Sequence, residues 1–360
     1  PLEVARVLVR DPDKRRAAPL DPRLVTTRAD EILDDKSLDV IVELLGGVDP
    51  ALGYVDRALR SGRSVVTANK MLLAVHGAEL LATAQKSGVD LAFEASVGGG
   101  IPIIRTLRES LAGDRVVRLS GIVNGTCNYI LSCMQNDGLA FELALRQAQE
   151  RGYAEADPTL DIDGHDAAHK LAVLAMVAFG AEVDAEAIPT EGIRAIEAID
   201  HRFAARFGYA IKHLAIGRDR GDVLDLRVHP ALLRRDTTLA NVSGVMNAIS
   251  VDGEALGPCL LSGRGAGDLP TAVSVVADIV DVAGARVAGA AGRKAKAQRL
   301  EKRPVTEEGE GEPRYYSSGA PVDVVIVTHA ARDSELRRAL REIEACDFVA
   351  SPTRVLRIHD

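Results

Sequence analysis

SVVTANKMLLAVHGAELLATAQKSG, residues 64–88, is the stretch on which the fold turns. Ser64–Thr67 favour a strand, and at Asn69-Lys70 they give way to a run suited to a helix that lasts to Gly88. The same alternation extends outward. Glu3–Val9, Asp39–Leu45 and Asp90–Val97 read as strands, Leu24–Thr27 as a shorter one, and Asp49–Arg60 as a second helix. Strands that alternate with helices imply a parallel sheet with right-handed crossovers, hence the α/β class. Lys70 then stands on the carboxyl side of the sheet, where open α/β sheets bind ligands. The alternative is a surface lysine at a helix start, a placement that the helix dipole disfavours.

Past residue 100 the pattern changes. Pro102–Leu111 reads as a helix and Val116–Val123 as an apolar strand. Residues 124–260 then mix long helices (Phe141–Glu150, His165–Phe179) with strands (Ile211–Gly217, Leu224–Val228, Ala248–Val251), the pattern of an α+β second lobe. Pro270–Ala285 is a further helix entered through Gly263–Gly267, and the charged stretch Ala290–Arg314 reads as a linker. Val322–Thr328, Arg332–Glu344 and Arg354–Ile358 give a strand, helix, strand unit too small for a core of its own, expected to dock or dimerise.

Composition narrows the function. A formal charge of −8 over 360 residues leaves no basic excess for a phosphate backbone, so nucleic acid is not an expected partner. With 3% aromatics and no Trp, the core must be aliphatic. Cys127, Cys133, Cys259 and Cys346 form neither a C-x-x-C pair nor a small secreted framework, so reduced thiols and a cytoplasmic setting are expected. The longest apolar stretch, Leu171–Ala181, falls well short of the roughly 18 residues of a membrane span. No basic-then-apolar leader opens the chain, which reads as soluble with no membrane partner.

The densest chemistry lies in GYAEADPTLDIDGHDAAHK, residues 152–170, where Glu155, Asp157, Asp161, Asp163 and Asp166 stand at the mouth of an apolar helix. Repulsion among them calls for a cation, either a metal or a substrate ammonium. Calcium suits the run poorly, because it lacks regular oxygen spacing and a closing Glu. Asp166 and Lys170, four apart, share a helix face and form an i,i+4 pair or, if Lys170 is partly buried, a proton-transferring group. His165 and His169 read as helix-surface residues. Asn124-Gly125-Thr126 ends a strand with an amide and a hydroxyl, either ligand groups or a capped turn. Gly98-Gly99-Gly100 is either a ligand-approaching loop or a tight turn. Arg10 and Lys14 follow a strand end where basic groups would favour a 2′-phosphate, unless the run is simply solvated.

Taken together, VVTANK, FEASVGGGIPII, GIVNGTCNYIL, GYAEADPTLDIDGHDAAHK and GRGAGDLPTA, in this order, resemble the homoserine dehydrogenases, from near the first residue to about 285 and less completely at the C-terminus. The resemblance implies NAD(P)-dependent interconversion of L-homoserine and L-aspartate 4-semialdehyde, between aspartate and threonine or methionine. It makes Lys170 the proton donor and acceptor, with Lys70 near nicotinamide and substrate and Asp161 supporting Lys170 and the substrate hydroxyl. Glu155 and Asp166 would hold the substrate ammonium, with Tyr153 and Thr126 beside them. Gly152, Glu155, Gly263 and Gly265 would line the nicotinamide side, and Arg10 would read the ribose or its phosphate. Glu94 and the carbonyls of Val97, Gly99 and Ile101 match a monovalent cation site for sodium. A homodimer is implied as well.

The resemblance divides the chain into a Rossmann-type NAD(P)-binding domain at 1–120, closed by helix 263–288, a catalytic substrate domain at 121–262, a linker at 289–314 and a partial ACT-like, ferredoxin-like module at 315–360. Two departures stand out. The family's first strand and Gly-rich pyrophosphate turn have no counterpart, and the chain opens on what should be the second strand. The expectation is either an N-terminal fragment or a crippled cofactor site, with a gap of about 10 Å between flanking strands. About half of the C-terminal module is also missing. A catalytically silent amino-acid-binding or assembly subunit is therefore the rival reading, and another two-domain reductase of semialdehydes or imines is a third.

Overall fold

The computed structural model describes residues 2–14, 16, 20–292, 300–306, 310–316, 325–327, 331–345 and 353–359. The first lobe is parallel, as its alternation requires. Val40–Glu43, Ser64–Thr67 and Leu91–Ala92 form a sheet in that spatial order. Val7–Leu8 pairs with Val25–Thr26 in a second parallel sheet not hydrogen-bonded to the first. Ser64–Thr67, the middle strand, is buried at every position, as befits a parallel strand covered on both faces. Val40–Glu43 lies at an edge, and Val42, Leu44 and Leu45 on and after it are exposed.

Two helices serve as crossovers. Ala51–Arg60 buries Ala51, Val55, Ala58 and Leu59, which share one helical face. Lys70–Ser87 begins where the Asn69 side chain accepts a hydrogen bond from the Leu72 amide, and it stops at Gly88, whose left-handed conformation glycine adopts without strain. The helix expected over Pro102–Leu111 is α-helical only at Ile103–Arg105 and continues as a π turn, Thr106–Ser110.

The second lobe is built on an antiparallel sheet. Gly257–Arg264, Met246–Gly253, Val116–Ile122, Tyr209–Asp219 and Leu224–Arg234 follow one another in that order. Gly125–Asp137, Phe141–Glu150 and His165–Phe179 pack around it. His165–Phe179 is buried on nearly all sides because it lies between this sheet and the helix Lys70–Ser87. The two helices approach so closely that a Cβ on Gly77 would meet the Met176 Sδ at 3.0 Å. His169 is therefore buried and not a surface residue, and burial pushes its pKa down.

The C-terminal division needs correction. Glu310–Tyr316, assigned largely to the linker, is a strand, and Glu301–Lys302 pairs with Ala181–Glu182. Arg354–His359 does not stand in a small module of its own. It joins Leu224–Arg234 in parallel and Glu310–Tyr316 antiparallel, extending the second lobe's sheet. Leu356 and Ile358 enter the same core cluster as Ile211 and Leu232. An open strand edge carries unmet N–H and C=O groups, and adding a strand satisfies them. Val325–Val327 and the helix Asp333–Glu344 match their expected positions. Cys346 and the segment 317–321 lie outside the described residues.

Candidate active site

The two lobes meet at a pair of lysines. Lys70 begins the first lobe's helix at the carboxyl end of Ser64–Thr67, and Lys170 lies one turn inside His165–Phe179. Asp166 joins them. Its Oδ1 is 2.7 Å from Lys70 Nζ, and its Oδ2 accepts a hydrogen bond from Lys170 Nζ at 2.7 Å. Lys170 donates a second hydrogen bond to the Val123 carbonyl at 2.8 Å, so two of its three N–H groups are placed. Burial by itself pushes the Asp166 carboxyl up, but Lys170 and Lys70 outweigh it and hold Asp166 well below the ordinary carboxylate range. Burial depresses Lys70, yet Asp166, Asp161 and Glu155 carry it above its usual value. Lys70 thus stays an ammonium while remaining 40% exposed to the cleft.

Asn124 fixes the acids. Its side-chain Nδ2 donates to Asp161 Oδ1 and to Asp166 Oδ2, each at 2.8 Å, while its Oδ1 accepts from the Cys127 amide and caps Gly125–Asp137. The turn at Asn124 is therefore both a cap and a site element. Burial, opposed by Asn124 and reinforced by Asp166, raises the Asp161 carboxyl. The five carboxylates part company here. Asp163 pairs with Arg194, and Asp157 caps a turn by accepting from the Thr159 amide. Glu155 is exposed, with its own field on Lys70. The chain's own cations, Lys70, Lys170 and Arg194, supply much of the compensation for which a bound cation was expected. Thr126 spends its hydroxyl on the Tyr153 carbonyl at 2.6 Å, and the Tyr153 ring meets Tyr129 edge-on at 5.0 Å. Tyr153 is itself exposed at the rim.

Gly98-Gly99-Gly100 packs on the loop at Gly263–Gly267. A Cβ on Gly99 would lie 2.5 Å from the Gly265 carbonyl, and the Gly100 amide donates to the Arg264 carbonyl. Gly263 and Gly265 are thereby set beside the Gly98–Gly100 turn, whereas Gly152 is an exposed left-handed turn after Phe141–Glu150. Arg10 is exposed beyond Val7–Leu8, in the smaller sheet. A cavity of about 610 Å³ lies elsewhere, over the seam between Ala74 and Met176.

Glu94 sits apart from the lysines. Its two carboxylate oxygens each accept a backbone hydrogen bond, from Ile104 and Arg105, at 2.8 Å. Gly99 O accepts from Ser274 and Ile101 O from the Ile103 amide. Burial raises the Glu94 carboxyl. Among the described residues no cluster of three or more His, Cys, Asp or Glu is arranged for a metal ion. These oxygens are hard donors suited to a cation, but in this conformation most are already engaged by protein donors.

Sequence reasoning missed two residues. Glu43 is buried and accepts from Thr67 Oγ1 at 2.5 Å and the Leu45 amide at 2.6 Å, tying together the strand ends next to Lys70. Its signal was a carboxylate closing the apolar run Val40-Ile41-Val42. Asn247, buried on the strand Met246–Gly253, carries no local signal.

The family model for homoserine dehydrogenase matches residues 102–280, and that for the homoserine dehydrogenase NAD binding domain matches residues 1–94. The chain is 47% identical over 281 residues to a homoserine dehydrogenase of Pseudomonas aeruginosa, covering 78% of this chain and 64% of the relative. It thus spans just under two thirds of such a curated relative. The crystal structure of a homoserine dehydrogenase from Thiobacillus denitrificans superposes with a TM-score of 0.93 at 41% identity, covering 99% of this chain and 90% of that one. A hyperthermophilic archaeal homoserine dehydrogenase in complex with NADPH gives a TM-score of 0.62 at 30% identity, over 72% of this chain and 76% of that one.

Proposed function

The chain belongs to the homoserine dehydrogenase family, and on that premise we propose that it is an NAD(P)-dependent oxidoreductase interconverting L-homoserine and L-aspartate 4-semialdehyde. The observation that carries this reading is Asp166 held between Lys70 and Lys170 at the carboxyl ends of a parallel sheet. The silent-subunit alternative finds no counterpart among the relatives described.

The residues fit a nicotinamide dinucleotide. Gly46 and Gly47 follow Val40–Glu43 with positive φ and open space where a Cβ would stand, so a ligand can approach their backbone beside half-buried Lys70. When bound, the cofactor supplies or takes the hydride at the reacting carbon. Lys170, with two N–H groups placed by Val123 and Asp166, turns its third toward the substrate oxygen. It donates a proton there when the aldehyde is reduced and takes one back from the hydroxyl in reverse. Lys70 stays charged and stabilises the negative charge that grows on that oxygen. Asp166 orients both lysines, and its engagement with them leaves the substrate ammonium chiefly to exposed Glu155, with Asp161 alongside. Thr126 acts through the Tyr153 carbonyl and not by touching substrate.

Arg10 belongs to the same proposal as the contact for the ribose or its phosphate. So do sodium near Glu94, Val97, Gly99 and Ile101, a homodimer, a cytoplasmic setting, and a place in threonine and methionine synthesis. No step above is routed through a cation. Among the described residues no helix is long and apolar enough to cross a membrane. The test is homoserine oxidation, followed by absorbance of the reduced cofactor, together with NADPH titration by fluorescence. Turnover with saturable cofactor binding is expected. Homoserine binding without cofactor binding would restore the silent subunit.

A further inference from the structure

Asn247 carries a feature that the mechanism leaves unused. It is the second residue of Met246–Gly253, pairs with Gly263 in the antiparallel ladder, and is 1% exposed. Its side-chain oxygen is buried and meets no donor. A buried acceptor without a partner costs stability, and an apolar side chain of the same shape would avoid that cost. The amide also lies between Gly125 and Gly265. A Cβ on Gly265 would lie 1.9 Å from Asn247 Nδ2, and one on Gly125 would lie 3.6 Å from Asn247 Oδ1. Gly125 adjoins Asn124, which holds Asp161 and Asp166, whereas Gly265 belongs to the loop assigned to the nicotinamide.

We propose that Asn247 is a cofactor-binding residue whose side-chain oxygen accepts a hydrogen bond from the carboxamide NH2 of the nicotinamide ring. The inference rests on the dehydrogenase reading. It explains why a polar group without a partner occupies this position, since the ligand brings the missing donor. Gly265 covers the amide in the free chain and lifts to admit the ring. The glycines at 263, 265 and 267 make that movement accessible, because each gives the backbone freedom that other residues lack.

The test compares NADP⁺ with its 3-acetylpyridine analogue, in which a methyl ketone replaces the carboxamide and no N–H remains. Dissociation constants are measured by calorimetry for the full chain and for Asn247→Leu, with Asn247→Ser as a second variant if leucine packs badly. The unaltered chain is expected to bind NADP⁺ about 3- to 10-fold more tightly than the analogue, the range of one neutral hydrogen bond. Both variants should lose that preference. A preference that survives in the variants overturns the assignment, as does an equal weakening of both ligands, which marks a structural role. Melting without ligand gives an independent arm. Asn247→Leu should raise Tm by about 2 °C as the unmet oxygen disappears, whereas a lowered Tm marks bad packing and passes the binding test to Asn247→Ser. A chain that binds neither ligand while Asn247→Leu still raises Tm breaks the dehydrogenase reading, and the cofactor assignment falls with it.

Discussion

In the second lobe five antiparallel strands form one continuous ladder that the chain's C-terminal strands extend, whereas the first lobe divides its short strands between two separate parallel sheets. The contrast recurs at the active site. Lys170 is 13% exposed and is gripped by Val123 and Asp166, while Lys70 is 40% exposed and reaches across from the other lobe to the same carboxylate. On the proposed mechanism, the chemistry is mounted on the continuous sheet and the lobe with divided sheets brings a partner to it. A rigid mount suits proton transfer, where misplacement is expensive in rate.

The sharpest way to break this comparison is to remove each lysine in turn. Lys170→Ala should lower kcat by about 100-fold or more, the usual scale of a lost general acid, with the NADPH dissociation constant within about twofold of the original. Lys70→Ala should lower kcat less, by about 10-fold. Steady-state kinetics and fluorescence titration decide, and the reverse order would move the centre of the chemistry into the first lobe.

Asp166 tests the bridge itself. Its native carboxyl sits below its unfolded value, so its contribution to stability is present above about pH 4 and is lost as pH falls toward the depressed native value. Asp166→Asn should destabilise by about 3 kcal/mol at pH 7 and flatten this part of the acid limb, measured by urea unfolding across pH. Histidines sharpen the contrast further. Burial holds His201 and His213 down to about 4 and His359 down to about 3, and all three lie in the second lobe or its extension. Each stays neutral when folded and takes a proton when unfolded, so stability falls as pH drops below 6.5. Hydrogen-exchange protection factors, each referred to the intrinsic rate at its own pH, should therefore fall more in Tyr209–Arg234 than in Ser64–Ser87 between pH 7 and pH 4.5.

Smaller effects follow. Asn124→Ala removes a helix cap and the donor shared by two carboxylates, and should cost about 1–2 kcal/mol in thermal unfolding. Arg57→Ala removes exposed ion pairs to Asp30 and Asp34 in the first lobe, and should leave thermal unfolding almost unchanged.

Legibility in the sequence followed local physics. Phe141–Glu150 and His165–Phe179 match their expected bounds because one carries a clean amphipathic face and the other a left-handed glycine at each end. Gly125–Asp137 went unread as a helix because Asn128 and Ser132 interrupt its apolar positions. Both are buried and hydrogen-bonded, Asn128 to Val242 and Met246, partners that only the folded chain supplies. Gly257–Arg264 carries little strand signal, because it is an edge strand and only partly buried. At the site, the Asp166–Lys170 pair was visible as an i,i+4 spacing. The Lys70–Asp166 contact spans two lobes, so no local spacing announces it, and the sequence places Lys70 only at the carboxyl end of a strand.

The strand Arg354–His359 slots in beside Leu224–Arg234, a segment synthesised long before it. During translation that edge of the second lobe therefore stays unclaimed and prone to stray pairing until residues 354–359, far downstream of Arg234, have left the ribosome. Maturation of this lobe is thus timed by a strand that emerges long after the one it pairs with.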